Sequence, residues 1–149
     1  VGCGNGVWAQ AIKDRGADIV AFDTAAWDAQ YGERDDDSAL MGERMPLVQA
    51  GGPEQVAAHR DRALMLMWPD YMGKGSFGTS CLDGYVGEVL LLVGEWRDST
   101  LGRVNPWGQS FSEDFVGIVE RDFVMEQRLQ LPCWPVALDT LMVWRRRRR

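Results

Sequence analysis

The sequence predicts an α/β fold: a three-layer sandwich on a mostly parallel sheet that closes with an antiparallel strand pair. Three observations predict it. Residues 1–6 read Val-Gly-Cys-Gly-Asn-Gly, and Asp23 ends the apolar run that follows, Ala17-Asp18-Ile19-Val20-Ala21-Phe22. Short apolar runs then alternate with helical patterns along the chain, as a parallel sheet with helices on both faces requires. The last two strand patterns lie too close together for a crossover helix, so they must run antiparallel to each other.

The elements follow in order. Apolar residues at 7, 8, 11 and 12 give a helix over Val7 to Arg15, which Gly16 ends as a C-cap. Ala17 to Asp23 is the next strand. Thr24 to Pro46 is acidic and aperiodic, with Asp35-Asp36-Asp37, and reads as a long loop. Met45 to Ala50 makes a short edge strand, and Pro53 to His59 opens with Pro-Glu as short helices do.

Ala63-Leu64-Met65-Leu66-Met67-Trp68 is a continuous apolar run, the pattern of a strand covered on both faces, and Pro69 stops it. A helix is expected over Ser80 to Tyr85, a buried strand over Val89 to Val93, and a polar loop over Asp98 to Gln109. A second helix over Ser112 to Arg121 has Ser112 as cap, and strands over Phe123 to Leu131 and Leu138 to Trp144 complete the series. Only Val1 remains of the strand that should precede the glycine turn, so the chain is expected to open in mid-fold.

A length of 149 residues with 46% hydrophobic content suits one domain with an ample core. Residues 1–144 are assigned to that domain and 145–149 to a basic tail. The net charge is −6, and Arg145 to Arg149 contribute +5 of it, so the body is strongly acidic. Such a body does not grip phosphate backbones; the arginine run alone could meet nucleic acid, and it reads as a solvated tail. Cys3, Cys81 and Cys133 form neither a disulfide framework nor a zinc motif, which predicts no metal and fits a cytoplasmic protein. No apolar stretch approaches the ~20 residues that span a bilayer, so no membrane partner is expected.

Alternate glycines at a strand-to-helix turn let a cofactor approach the backbone, where a Cβ would block it. A carboxylate at the end of the next strand can accept from both hydroxyls of a ribose. A dinucleotide site wants Gly-x-Gly-x-x-Gly, and its third glycine position, counted from Gly2, holds Val7. The spacing here is Gly2, Gly4, Gly6. With Asp23 and the terminal antiparallel pair, it resembles class I S-adenosylmethionine-dependent methyltransferases, whose sheet is Rossmann-like.

The resemblance implies that S-adenosyl-L-methionine is the cofactor. Gly2, Gly4 and Gly6 would line its methionine and ribose side, and Asp23 would hold the ribose hydroxyls. The family often has an acidic residue before the first glycine, where this chain has Val1. It also commonly has a polar residue for the adenine amino group after the third strand. Ala50-Gly51-Gly52 occupies that place, so backbone groups would have to serve.

Met65-Leu66-Met67-Trp68-Pro69-Asp70-Tyr71 stands where amino-directed members carry an Asn- or Asp-Pro-Pro-aromatic motif. Trp68 replaces the polar residue and offers a π face for a flat or cationic group. Asp70 is a candidate base and Tyr71 a candidate donor; a rigid strand-end cap is the alternative for all three. Glu95 and Trp96 should face the same crevice, with Glu95 read as a solvated loop carboxylate. His59 reads as a surface or capping residue, Trp8 as either a cofactor cover or core, and Trp134 as a packing plug between prolines.

The function expected from this reading is methyl transfer to an acceptor the sequence does not identify. A methyltransferase-like binding or scaffold domain without catalysis is the alternative, with a nicotinamide-dependent oxidoreductase behind it.

Overall fold

A computed structural model describes residues 1–24, 44–101, 109–132, 135 and 137–148. The expected loops at 24–46 and 98–109 therefore lie largely outside the described residues, as do Trp134 and the side chain of Tyr71. The chain divides into two compact units, Val1–Gln55 and Val56–Arg149.

In the first unit, helix α1 (Val7–Lys13) follows the glycine turn directly. Its N-cap is Gly6, and just ahead of it Asn5 Oδ1 accepts from the Val7 N–H at 3.2 Å. Strands β1 (Ala21–Asp23) and β2 (Val48–Ala50) are parallel, with Asp23 opposite Ala50. Both are shorter than the apolar patterns implied. Ahead of α1, the Cys3 N–H donates to the Phe22 carbonyl at 3.2 Å, so the chain entering the turn runs beside β1. Pro53–Ala58 forms the expected short helix as a 3-10 segment, whose first turn belongs to this unit.

The second unit is a four-stranded sheet in the order β3-β4-β6-β5. Strands β3 (Leu64–Met67) and β4 (Val89–Gly94) pair in parallel. Strands β5 (Phe123–Gln130) and β6 (Thr140–Arg146) are antiparallel to each other, and β6 is antiparallel to β4. The pairing expected from the short β5–β6 connection is therefore present. Helix α2 spans Phe77–Asp83 and α3 spans Glu113–Asp122. Ser112 caps α3 as predicted, its hydroxyl accepting from the Phe115 N–H.

Leu66, Leu90, Leu92 and Met142 are fully buried in the sheet. On one side of this core Trp96 meets Phe111 edge-on at 5.3 Å and Trp144 at 4.9 Å, while Phe111 stacks on Phe115 of α3 at 5.3 Å. Such aromatic pairs add to the stabilisation from buried area. Gly78 of α2 is required by close packing, because a Cβ there would lie 2.7 Å from Phe115 and 2.9 Å from the Asp70 carboxylate.

The basic tail needs correction. Arg145 and Arg146 belong to β6, not to a solvated terminus. Arg145 pairs with Glu126 at 2.6 Å. Arg146 donates to the carbonyls of Gly87 and Tyr85 at 2.8 Å each, and its guanidinium lies over the rings of Phe123 (4.5 Å) and Tyr85 (5.6 Å). Antiparallel neighbours and ring faces accept the charge, and that cross-strand environment is not visible in a run of like residues. Among the described residues no helix is long and apolar enough to cross a membrane.

Candidate functional site

The glycine turn and Asp23 come together. Gly2, Gly4 and Gly6 take φ values of 67°, 59° and 88°. All three lie in the left-handed region that a side chain disfavours. Gly6 is also sterically required, since a Cβ would stand 2.3 Å from Val48 Cγ2. The turn is tied down by its own Gly6 N–H to the Cys3 carbonyl (3.1 Å) and by the Met45 N–H to the Asn5 carbonyl (2.7 Å).

Asp23 closes this loop from β1. Its Oδ2 accepts the Gly4 N–H at 2.6 Å, and its Oδ1 accepts the Thr24 N–H at 2.8 Å. Charge-assisted bonds of this kind hold the carboxylate rigidly. A carboxylate has about four acceptor positions, so each oxygen keeps one for a ligand. Asp23 is 8% exposed, which leaves a narrow approach. The thiol of Cys3, between the first two glycines, is pushed up from its ordinary value by burial above all, with the Asp23 charge adding to the shift.

The Ala50-Gly51-Gly52 segment differs from the expectation that its backbone would serve a ligand. The Gly51 N–H is spent on the Asp23 carbonyl at 2.9 Å, and the Gly52 N–H on Glu54 Oε1 at 2.7 Å. Glu54 supplies the polar side chain this loop lacked in the sequence reading. Its carboxyl is held below the ordinary value, chiefly by the Gly52 N–H. The Pro-Glu pair that marks a helix start was the signal for it. Trp8, expected to cover a cofactor or to join the core, is 58% exposed and thus not core.

In the second unit two expected carboxylates are not where solvent or a ligand meets them. Asp70 is buried: Oδ1 accepts from the Gly78 N–H at the start of α2 (3.1 Å), and Oδ2 from the Ser112 N–H at the start of α3 (2.9 Å). It ties two helix N-termini together, the arrangement of the rigid strand-end cap that was the alternative for it. Glu95, read as solvated, is also buried. Its oxygens accept from Leu138 N–H (2.9 Å), Thr100 Oγ1 (2.6 Å) and Gln109 Nε2 (3.4 Å). Trp96 is likewise interior, its indole N–H donating to Glu120.

Trp68 alone of the strand-end candidates with a described side chain stays open, at 43% exposure. Its indole N–H donates to Asp139 Oδ1 at 2.9 Å. Asp139 was absent from the sequence reading, because 71 positions separate it from Trp68. His59 is half-buried after the 3-10 segment, its N–H donating to Val56.

Two of the solved structures that match are similar in fold over 98% of the chain. They are the pyocyanin biosynthetic protein PhzM (TM-score 0.58, 19% identity) and TehB from Haemophilus influenzae (TM-score 0.52, 14% identity). The fold is that of class I methyltransferases. This chain spans about half of each of those proteins, 48% of PhzM and 56% of TehB. No family model and no curated protein matches it. In the first unit the glycine turn, α1 and β1 follow in turn-helix-strand order, and in the second the antiparallel β5–β6 pair closes the sheet.

Proposed function

We propose that this chain is a methyltransferase domain that binds S-adenosyl-L-methionine at the Gly2–Gly6 turn. The observation that carries the reading is the Gly4 N–H to Asp23 Oδ2 bond of 2.6 Å, which sets a buried carboxylate against a turn of three left-handed glycines. Each glycine of that turn takes a backbone conformation that a side chain disfavours. Asp23 would hold the ribose hydroxyls through its remaining lone pairs, and Glu54 would accept from the adenine amino group. The cofactor, once bound, supplies a methyl group already activated by its sulfonium. The protein's task is then to align the acceptor and exclude water, for which no general base is required.

Calorimetric titration of the full chain with S-adenosylhomocysteine tests this, with Asp23→Asn as the paired variant. Asparagine keeps one acceptor but turns an amide N–H toward a backbone donor. We expect binding to the wild type and at least about tenfold weaker binding to the variant, a loss of one charged hydrogen bond. No heat from the wild type, or equal affinity for both, would refute the proposal.

A binding domain without catalysis is the second reading. It is favoured by the burial of Asp70 and Glu95, which removes both carboxylates from the strand ends of the second unit. Cofactor binding without turnover over a broad acceptor pool would select it.

A further inference from the structure

Trp68 is held in an unfavourable backbone conformation. Its φ is 47°, in the left-handed region, where a bulky aromatic residue is a clear outlier. It also precedes Pro69, a position that favours extended backbone. Its own N–H still completes the ladder to the Val93 carbonyl at 3.0 Å, so the twist begins at the last residue of the strand pairing. Strain of this kind persists where the surroundings over-determine it, and it concentrates at ligand-binding positions.

The surroundings that over-determine it are on Asp139. This aspartate is 7% exposed and precedes β6. Its backbone carbonyl accepts from Leu131 N–H (3.3 Å) and Gln130 Nε2 (3.2 Å), which fixes it to the end of β5. Its Oδ1 takes the indole N–H of Trp68. The polar edge of the ring is therefore turned inward, and what an exposed Trp68 offers to solvent is ring carbon. A carboxylate on the N–H pushes electron density into the indole. That strengthens attraction for a cation over the ring. It does not favour an anion.

We infer that Trp68 and Asp139 form a recognition site for an organic cation, of the substituted-ammonium class. The inference goes beyond methyl transfer and needs no bound cofactor, so its failure would leave the proposed cofactor site untouched.

Fluorine NMR on full-chain protein labelled with fluorotryptophan tests it, with the Trp68 resonance assigned from Trp68→Phe. The probes are tetramethylammonium chloride and neopentyl alcohol, a neutral, water-soluble molecule with the same branched skeleton plus one hydroxyl. We expect a saturable shift of the Trp68 resonance with tetramethylammonium and none with the alcohol. Asp139→Asn, which keeps an acceptor for the indole but removes the charge, should weaken the binding about threefold or more, the scale of an exposed cation–π contact. A non-saturable response, an equal response to the alcohol, or unchanged affinity in Asp139→Asn overturns the inference. The comparison of the two probes is made on the wild type, so the test survives if that variant fails to fold.

Discussion

Gly6→Ala is the sharpest probe of the turn, because the structure supplies its own control. Gly6 and Gly16 have nearly the same φ, 88° and 87°. At Gly16 a new Cβ meets nothing within 4 Å, whereas at Gly6 it would stand 2.3 Å from Val48 Cγ2 and 3.2 Å from Met45 Cβ. Gly16→Ala thus carries only the left-handed backbone cost, about 1–2 kcal/mol. Gly6→Ala adds an overpacking cost of about 1–3 kcal/mol, because Val48 sits on a strand and cannot retreat freely. The expected totals are about 1–2 kcal/mol for Gly16→Ala and about 2–5 kcal/mol for Gly6→Ala. Urea unfolding followed by circular dichroism reads both. All three positions lie in one unit, so their comparison does not depend on how the other unit melts. Adding Val48→Ala to Gly6→Ala should recover most of the excess, while adding it to Gly16→Ala should recover none. If Gly6→Ala costs no more than Gly16→Ala, or Val48→Ala fails to rescue it, the packing argument for the turn is wrong.

Two further outcomes follow from the second unit. Asp70→Asn keeps one acceptor and sets an amide N–H against a helix-terminal donor, so stability should fall by about 2–4 kcal/mol, measured by denaturant unfolding; a change within experimental error would mean that Asp70 does not tie α2 to α3. Tyr85 is pushed above the ordinary phenol value, chiefly by burial, while its hydroxyl is engaged with the backbone of Val89. A raised value in the folded state means that the folded protein holds the proton more tightly. Its contribution to stability is therefore intact below the unfolded tyrosine value and is lost as pH rises through the folded one. Melting temperature should drop in that alkaline window, and Tyr85→Phe should flatten the drop; an equally steep drop in the variant would refute the assignment.

The expected elements that depend on neighbours in sequence are present. The glycine turn, the helix behind it, the Ser112 cap and the antiparallel close each follow from residues a few positions apart, where backbone sterics and the period of apolar side chains act locally. Strand lengths were less legible: Ala17 to Asp23 predicts seven residues, and β1 keeps three. Apolar periodicity shows that a segment can enter a sheet, but only a hydrogen-bonded neighbour decides how far it does so.

The fates of the carboxylates could not be read ahead of the fold. Asp23, Asp70, Glu95 and Asp139 are alike as letters, yet one backs a glycine turn, one joins two helix ends, one is enclosed by a loop and one anchors an indole. Arg145 and Arg146 show the same limit with positive charge. The order of residues determined by itself where the chain bends at Gly2–Gly6, and that an acid ends the strand after it. Which N–H groups and ring faces converge on each charge was decided by the tertiary structure, because burial depends on contacts between segments up to 71 positions apart, which no local pattern encodes.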